Sequence, residues 1–112
     1  MGLDNYWKQD KDTNGIVEGE FQVCGGICSG NGNDSFRGKV YNSIVEEITG
    51  ISLYQDTISA DDVEMMNEII QKTTYEGAKS CASYDLGKEE WDSFQKMWDA
   101  HTKAHHYLIS WW

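Results

Sequence analysis

The apolar positions change period several times along the chain, and each change predicts an element. Val17, Phe21 and Val23 fall on one face of an extended segment, with Glu18, Glu20 and Gln22 on the other. Residues 3–9 and 16–23 flank Asn14-Gly15, and both turn residues accept the positive φ of a tight turn, so the pattern predicts a hairpin over 3–23. Residues 24–35 are rich in Gly, Ser and Asn and read as an irregular loop. Val40, Ile44 and Ile48 then repeat every fourth residue, with Tyr41 and Val45 beside them. They predict a helix over 36–49, capped by Asp34 or Ser35 and stopped at Gly50. Residues 51–58 alternate enough for a short strand. Ser59 opens a second helix over 60–73, whose first turn carries Asp61 and Asp62 and whose apolar face is Val63, Met66, Ile69 and Ile70. Residues 75–87 read mostly as loop. From Lys88 onward Trp91, Phe94, Trp98, His101, His105, Leu108 and Trp112 step alternately by three and four, which predicts a third helix over 88–110.

The fold class expected is therefore α+β: a small antiparallel sheet begun by an N-terminal hairpin and covered by about three helices. Its 112 residues fit a single domain, 1–112. Fourteen aromatic residues (five Trp, six Tyr and three Phe) supply large pieces of core. The chain has no proline, and six of its eleven glycines lie between residues 19 and 38.

Charge narrows the function classes. Nine basic residues against nineteen acidic ones leave a net charge of −10. Nucleic acid is thus an unexpected partner, since phosphate binding rests on surplus Lys and Arg. An anionic membrane surface is disfavoured for the same reason. No apolar run approaches the ~20 residues of a membrane span. The N-terminus does not read as a secretory signal, and Tyr6 stands where myristoylation needs Ser or Thr. Three cysteines in such a chain are expected as reduced thiols.

Three constellations carry candidate chemistry. Asp10-x-Asp12-x-Asn14-Gly15 matches the first half of a calcium loop, with oxygen ligands at alternate positions and glycine at the sixth. The match fails at the twelfth position, which is Phe21 rather than Glu, so a polar turn explains the segment as well. Cys24 and Cys28 with His101 and His105 offer four zinc-type donors, the two His at i, i+4 on one helix face. Three residues separate the two thiols, and the histidines lie on the apolar stripe, so small buried thiols and core histidines are the simpler reading. Neither calcium nor zinc is expected to bind tightly, and no cofactor is called for.

The third constellation is the Gly-rich loop entering the first helix, where free backbone N–H groups favour anions. Asn31, Asn33, Asp34, Ser35, Arg37 and Lys39 are its candidate ligand- or partner-binding residues. Arg37 is the only arginine, and its planar fork pairs with carboxylate or phosphate. The plain alternative is an internal ion pair from Arg37 to Asp34 or a nearby Glu. A P-loop is excluded, because Asn33 replaces its first glycine and Val40 its Ser or Thr. The run His101-Thr-Lys-Ala-His105-His106 offers a general base, but no context marks an activated nucleophile, and the reading leans against an enzyme. Asp61, Asp62, Glu64 and Glu68 form a local acidic cluster whose simplest explanation is a solvated helix start.

The opening Met1-Gly2-Leu3-Asp4-Asn5-Tyr6-Trp7, the block from Cys24-Gly25-Gly26 through Ser29-Gly30-Asn31-Gly32-Asn33 to Ser35-Phe36-Arg37-Gly38-Lys39-Val40-Tyr41, and the ending Leu108-Ile109-Ser110-Trp111-Trp112 resemble small uncharacterised proteins of tailed phages, notably cyanophages. The resemblance spans most of the chain. It implies a phage-type protein in a bacterial cytoplasm and carries over no catalytic residues. The function expected is a non-enzymatic protein-interaction module whose partner is a host or phage protein. The alternatives are a module binding a small anionic or nucleotide-type ligand through loop 30–39, and a compact enzyme or metal protein using Cys24, Cys28, His101 and His105. A homodimer is expected through Trp111-Trp112 and the stripe they continue.

Overall fold

The computed structural model describes residues 3–8, 21–23, 26–28 and 35–111. Among these described residues, six strands and four helices follow in the order β1 (Asp4–Lys8), β2 (Phe21–Val23), β3 (Gly26–Cys28), β4 (Ser35–Phe36), α1 (Gly38–Thr49), β5 (Thr57–Ile58), α2 (Ala60–Lys72), α3 (Tyr75–Cys81), α4 (Lys88–Lys103) and β6 (Tyr107–Trp111). The architecture is α+β, with a four-stranded antiparallel sheet in the order β4-β1-β6-β5 and a separate antiparallel pair, β2-β3.

The first strand finds other partners than a hairpin would give it. β1 runs beside β6 along its whole length, from Asp4 opposite Trp111 to Lys8 opposite Tyr107. Its other neighbour is β4, through Asn5–Phe36 and Tyr6–Ser35. Both sides of β1 are thereby occupied, and Phe21–Val23 pairs with Gly26–Cys28 instead. The Asn14-Gly15 turn lies outside the described residues.

The last helix is the second correction. α4 ends at Lys103, and residues 107–111 form a central strand. His105 adopts φ +57°, a left-handed conformation that cannot continue a right-handed helix. Beyond it the helical stripe coincides with a strand alternation: Leu108 is buried while Tyr107 and Ile109 are half-buried. A short helix, α3, also stands where loop was expected, its first turn held by Thr74 Oγ1 accepting from Gly77 N at 3.1 Å.

The other helices follow their sequence signals. Gly50 closes α1 with φ +78°, its N–H bonding the Glu46 carbonyl. Ser59 caps α2 through Oγ, which accepts from Asp62 N at 3.2 Å. The expected cap of α1 by Asp34 or Ser35 is not what Ser35 does: it is in strand β4, the cap position is Arg37, and no side chain bonds there.

The core lies between the sheet and the helices. Trp91, Phe94 and Trp98 of α4 form a buried row with ring centroids 5.5 and 5.7 Å apart, and Phe36 and Tyr41 pack against Phe94 at 5.6 and 4.3 Å. The indole of Trp98 donates to Val63 O at 3.0 Å and that of Trp91 to Thr73 O at 3.2 Å, so α4 is tied to α2 and to the turn after it.

Candidate functional site

The corner between β4 and α1 holds the described part of the predicted loop site. Phe36 turns inward to the core and Gly38 begins the helix, buried beneath β1. A Cβ on Gly38 would lie 1.7 Å from Asn5 Oδ1 and 2.9 Å from Leu3 Cδ2, so glycine is what lets the strand pass this close. Asn5 is fully buried and donates through Nδ2 to Leu53 O at 3.1 Å and to Ser110 Oγ at 2.9 Å. The Ser110 hydroxyl reaches in turn to the carbonyls of Leu53 and Gln55. This network ties β1, β6 and the 51–56 loop at one end of the sheet.

Of the predicted binding residues, Ser35 pairs opposite Tyr6, Arg37 is exposed at the helix entry and Lys39 is exposed in the first turn. The Lys39 N–H is already given to Leu3 O at 3.1 Å. Arg37 Nε bonds Asp4 Oδ1 at 2.8 Å, an ion pair with a different partner from the Asp34 or Glu weighed from sequence. Asn31, Asn33 and Asp34 lie outside the described residues.

The histidines are arranged otherwise than on one helix face. His101 is buried near the end of α4, whereas His105, past that end, is exposed. His101 meets His106: their Nδ1 atoms lie 2.7 Å apart, and His106 N donates to His101 O at 3.0 Å. Trp7 of β1 stacks on the His101 ring at 4.4 Å with an interplanar angle of 2°. Two Zn–N bonds of ~2.0–2.1 Å at tetrahedral angles need nitrogens more than ~3 Å apart, so no metal fits between these two atoms. Among the described residues, no group of three His, Cys, Asp or Glu is placed to hold a metal ion. Cys24, the side chain of Cys28 and residues 10–20 of the calcium-like loop lie outside the described residues.

A third cluster has no signal in the sequence. Glu90, in the first turn of α4, accepts through Oε2 from the Tyr41 hydroxyl at 3.0 Å and from the Tyr84 hydroxyl. Burial, then the bond to Glu90, holds the Tyr84 phenol well above its ordinary range. A phenol so raised is a poor base at neutral pH and serves to tie the 82–87 segment to α1 and α4.

The sheet face turned away from the helices is different in kind. Ser35, Tyr6, Ile109 and Thr57 form a row across all four strands in direct register. Trp111 opposite Asp4 flanks the row on one side, and Tyr107 opposite Lys8 on the other. Tyr6, Tyr107 and Ile109 are half-buried, and Trp111 is 71% exposed. Arg37, through its bond to Asp4, sits beside the Trp111 end. From sequence, Tyr107, Ile109 and Trp111 were positions on or beside a helix; only the strand pairing brings them together with Tyr6. Compared with protein-family models, curated proteins and solved structures, the chain matches none. Among the described residues, no helix is long and apolar enough to cross a membrane.

Proposed function

We propose that this chain is a non-enzymatic protein-interaction module that engages its partner through the outer face of the four-stranded sheet. The observation that carries this reading is the exposed Trp111 at the end of an aromatic and aliphatic row in which Tyr6, Ile109 and Tyr107 are in strand register. Tyr and Trp are the side chains most often found as binding anchors, because they give large contact area and a polar tip at small entropic cost. The groups best suited to catalysis support the same reading. The His101–His106 pair and the Tyr41–Glu90–Tyr84 cluster are committed to bonds that hold elements together. The Asp4–Arg37 pair supplies a charged rim, and its carboxylate competes with any anion for the guanidinium, which weighs against an anionic ligand. The resemblance to tailed-phage proteins makes a host or phage protein the partner class of choice.

Affinity capture from bacterial lysate with the wild type, Trp111→Ala and Lys96→Ala tests this. Lys96 is an exposed residue of α4 and serves as the control. We expect a protein retained by the wild type and by Lys96→Ala and lost by Trp111→Ala, at nearly unchanged stability, within about 0.5 kcal/mol. Light scattering at high micromolar concentration reads the same face for self-association against the 12.8 kDa monomer. Identical captured sets for all three proteins, together with a monomer mass, would refute the proposal.

A further inference from the structure

We propose that β6 is an exchangeable strand: at high concentration it leaves its own sheet and completes the sheet of a second copy, giving a domain-swapped dimer, whatever partner the outer face binds. The turn that folds β6 back sets this up. α4 ends in a Schellman motif, with His106 N donating to His101 O and His105 N to Thr102 O, each at 3.0 Å. The motif puts the residue after the cap, His105, in the left-handed region at φ +57°. Glycine is the usual occupant of that conformation, and α1 uses it: Gly50 holds φ +78° at the end of that helix. At 105 a residue with a Cβ stands there instead, which disfavours the closed turn roughly tenfold relative to glycine.

The same three residues have a second conformation open to them. Ala104-His105-His106 contains neither glycine nor proline, and alanine is the strongest helix former. Once the chain need not turn back, α4 can run on through these residues, and the left-handed conformation is released. What lies beyond this hinge moves as one unit. Both strand neighbours of β6, β1 and β5, precede the hinge. So do Asn5, which donates to the Ser110 hydroxyl, and Leu53 and Gln55, whose carbonyls that hydroxyl reaches. A second copy offers the identical slot, from Asp4 opposite Trp111 to Lys8 opposite Tyr107, and buries Leu108 in the identical core. Exchange therefore keeps these bonds and this buried surface while two strained turns open. Against it stands the translational and rotational freedom lost on association, so concentration sets the balance. Short hinges under strain favour such exchange, and the exchanged dimer is closed, with no strand slot left empty.

In the dimer each outer sheet face is composite. Tyr6 and Lys8 come from one copy, and Tyr107, Ile109 and Trp111 from the other. The face keeps its residues and its register in both forms, so partner capture through Trp111 persists in monomer and dimer alike. Strand exchange and partner binding therefore fail separately.

The test compares wild type, His105→Gly and His105→Ala, each unfolded in urea, refolded at high micromolar concentration and sized by light scattering against the 12.8 kDa monomer. His105 is exposed, so both substitutions act through the backbone. Glycine favours the closed turn and disfavours a helical hinge, and alanine does the reverse. The dimer-to-monomer ratio is expected to be highest for Ala, intermediate for His and lowest for Gly, with Ala at least about tenfold above Gly. Isotope-filtered NMR then locates the strand in a wild-type dimer refolded from equal parts of labelled and unlabelled chain. Contacts of Tyr6 with Ile109 and of Asn5 with Ser110 are expected between labelled and unlabelled copies. The same contacts confined to single copies mark a dimer joined through intact sheets and overturn the proposal. A wild type that stays monomeric after refolding overturns it too, as does a ratio indifferent to the residue at 105.

Discussion

On the helix side of the β1–β6 ladder, Asn5, Trp7, Leu108 and Ser110 are enclosed by rings, carbonyls and a helix backbone, whereas on the opposite side Tyr6, Lys8, Ile109 and Trp111 lie partly or largely in solvent. The backbone, register and residue classes are nearly the same for both. Each face has aromatics, an aliphatic and polar groups. The difference lies in what the strands meet. Inside, burial removes water as the alternative, so a polar atom without a protein partner costs stability. The Asn5 amide nitrogen bonds two other segments, whereas its Oδ1, pressed into the space left by Gly38, and the Trp7 indole nitrogen are buried without a hydrogen-bond partner among the described residues. Outside, the same chemistry stays available to another molecule. Aromatic content alone therefore does not distinguish a core from a binding surface; enclosure does.

The comparison is broken most severely by emptying the inner face. Trp7→Ala removes a fully buried indole packed on Phe36, Trp98 and His101. We expect a loss of about 3–5 kcal/mol in urea unfolding, with the imidazole signals of His101 and His106 changed as well. Gly38→Ala probes the same face from the helix side. Its methyl group cannot share space with Asn5 Oδ1, and a loss of about 2–3 kcal/mol is expected as Asn5 is pushed off its partners. A loss below ~0.5 kcal/mol would mean that the close approach is dispensable. The smallest effect is on the outer face. Arg37→Ala breaks a partly exposed ion pair with Asp4 and should cost less than about 1 kcal/mol. Partner capture read in parallel then tells a rim contact from a structural one: unchanged capture with lowered stability marks Arg37 as structural.

Local rules reached the elements whose signals are local. The spacing of Val40, Ile44 and Ile48, the glycine at 50 and the serine at 59 placed α1 and α2 to within about two residues. The rules failed where pairing depends on distant chain. Nothing near Tyr6 announces Ile109 as its neighbour, and the Asn14-Gly15 turn signal favours the nearer partner. The stripe from Trp91 to His101 is genuine, but its continuation through Leu108 was a coincidence of helix and strand periods, settled by the backbone at His105. For the candidate sites, the sequence set His101 beside His105 by carrying helical spacing past the helix end, whereas the structure sets it against His106. Arg37 was visible as a unique side chain, but its bond to Asp4 needed the strand placed first. Glu90 between two tyrosines had no marker, because Tyr41 and Tyr84 come from separate segments.

The pairing of residues 4–8 with 107–111 also bears on how the chain is made. A ribosome adding ~5–20 residues per second needs roughly 5–20 s to go from one strand to the other. During that interval β1 has only the two-residue pairing to β4 and no central neighbour. The helices between them can form early from local contacts, while the sheet must wait for the last strand to emerge. Until then Trp7 and Phe36 lack their full cover, so the stretch of synthesis before residue 107 is when this chain exposes most of its aromatic core.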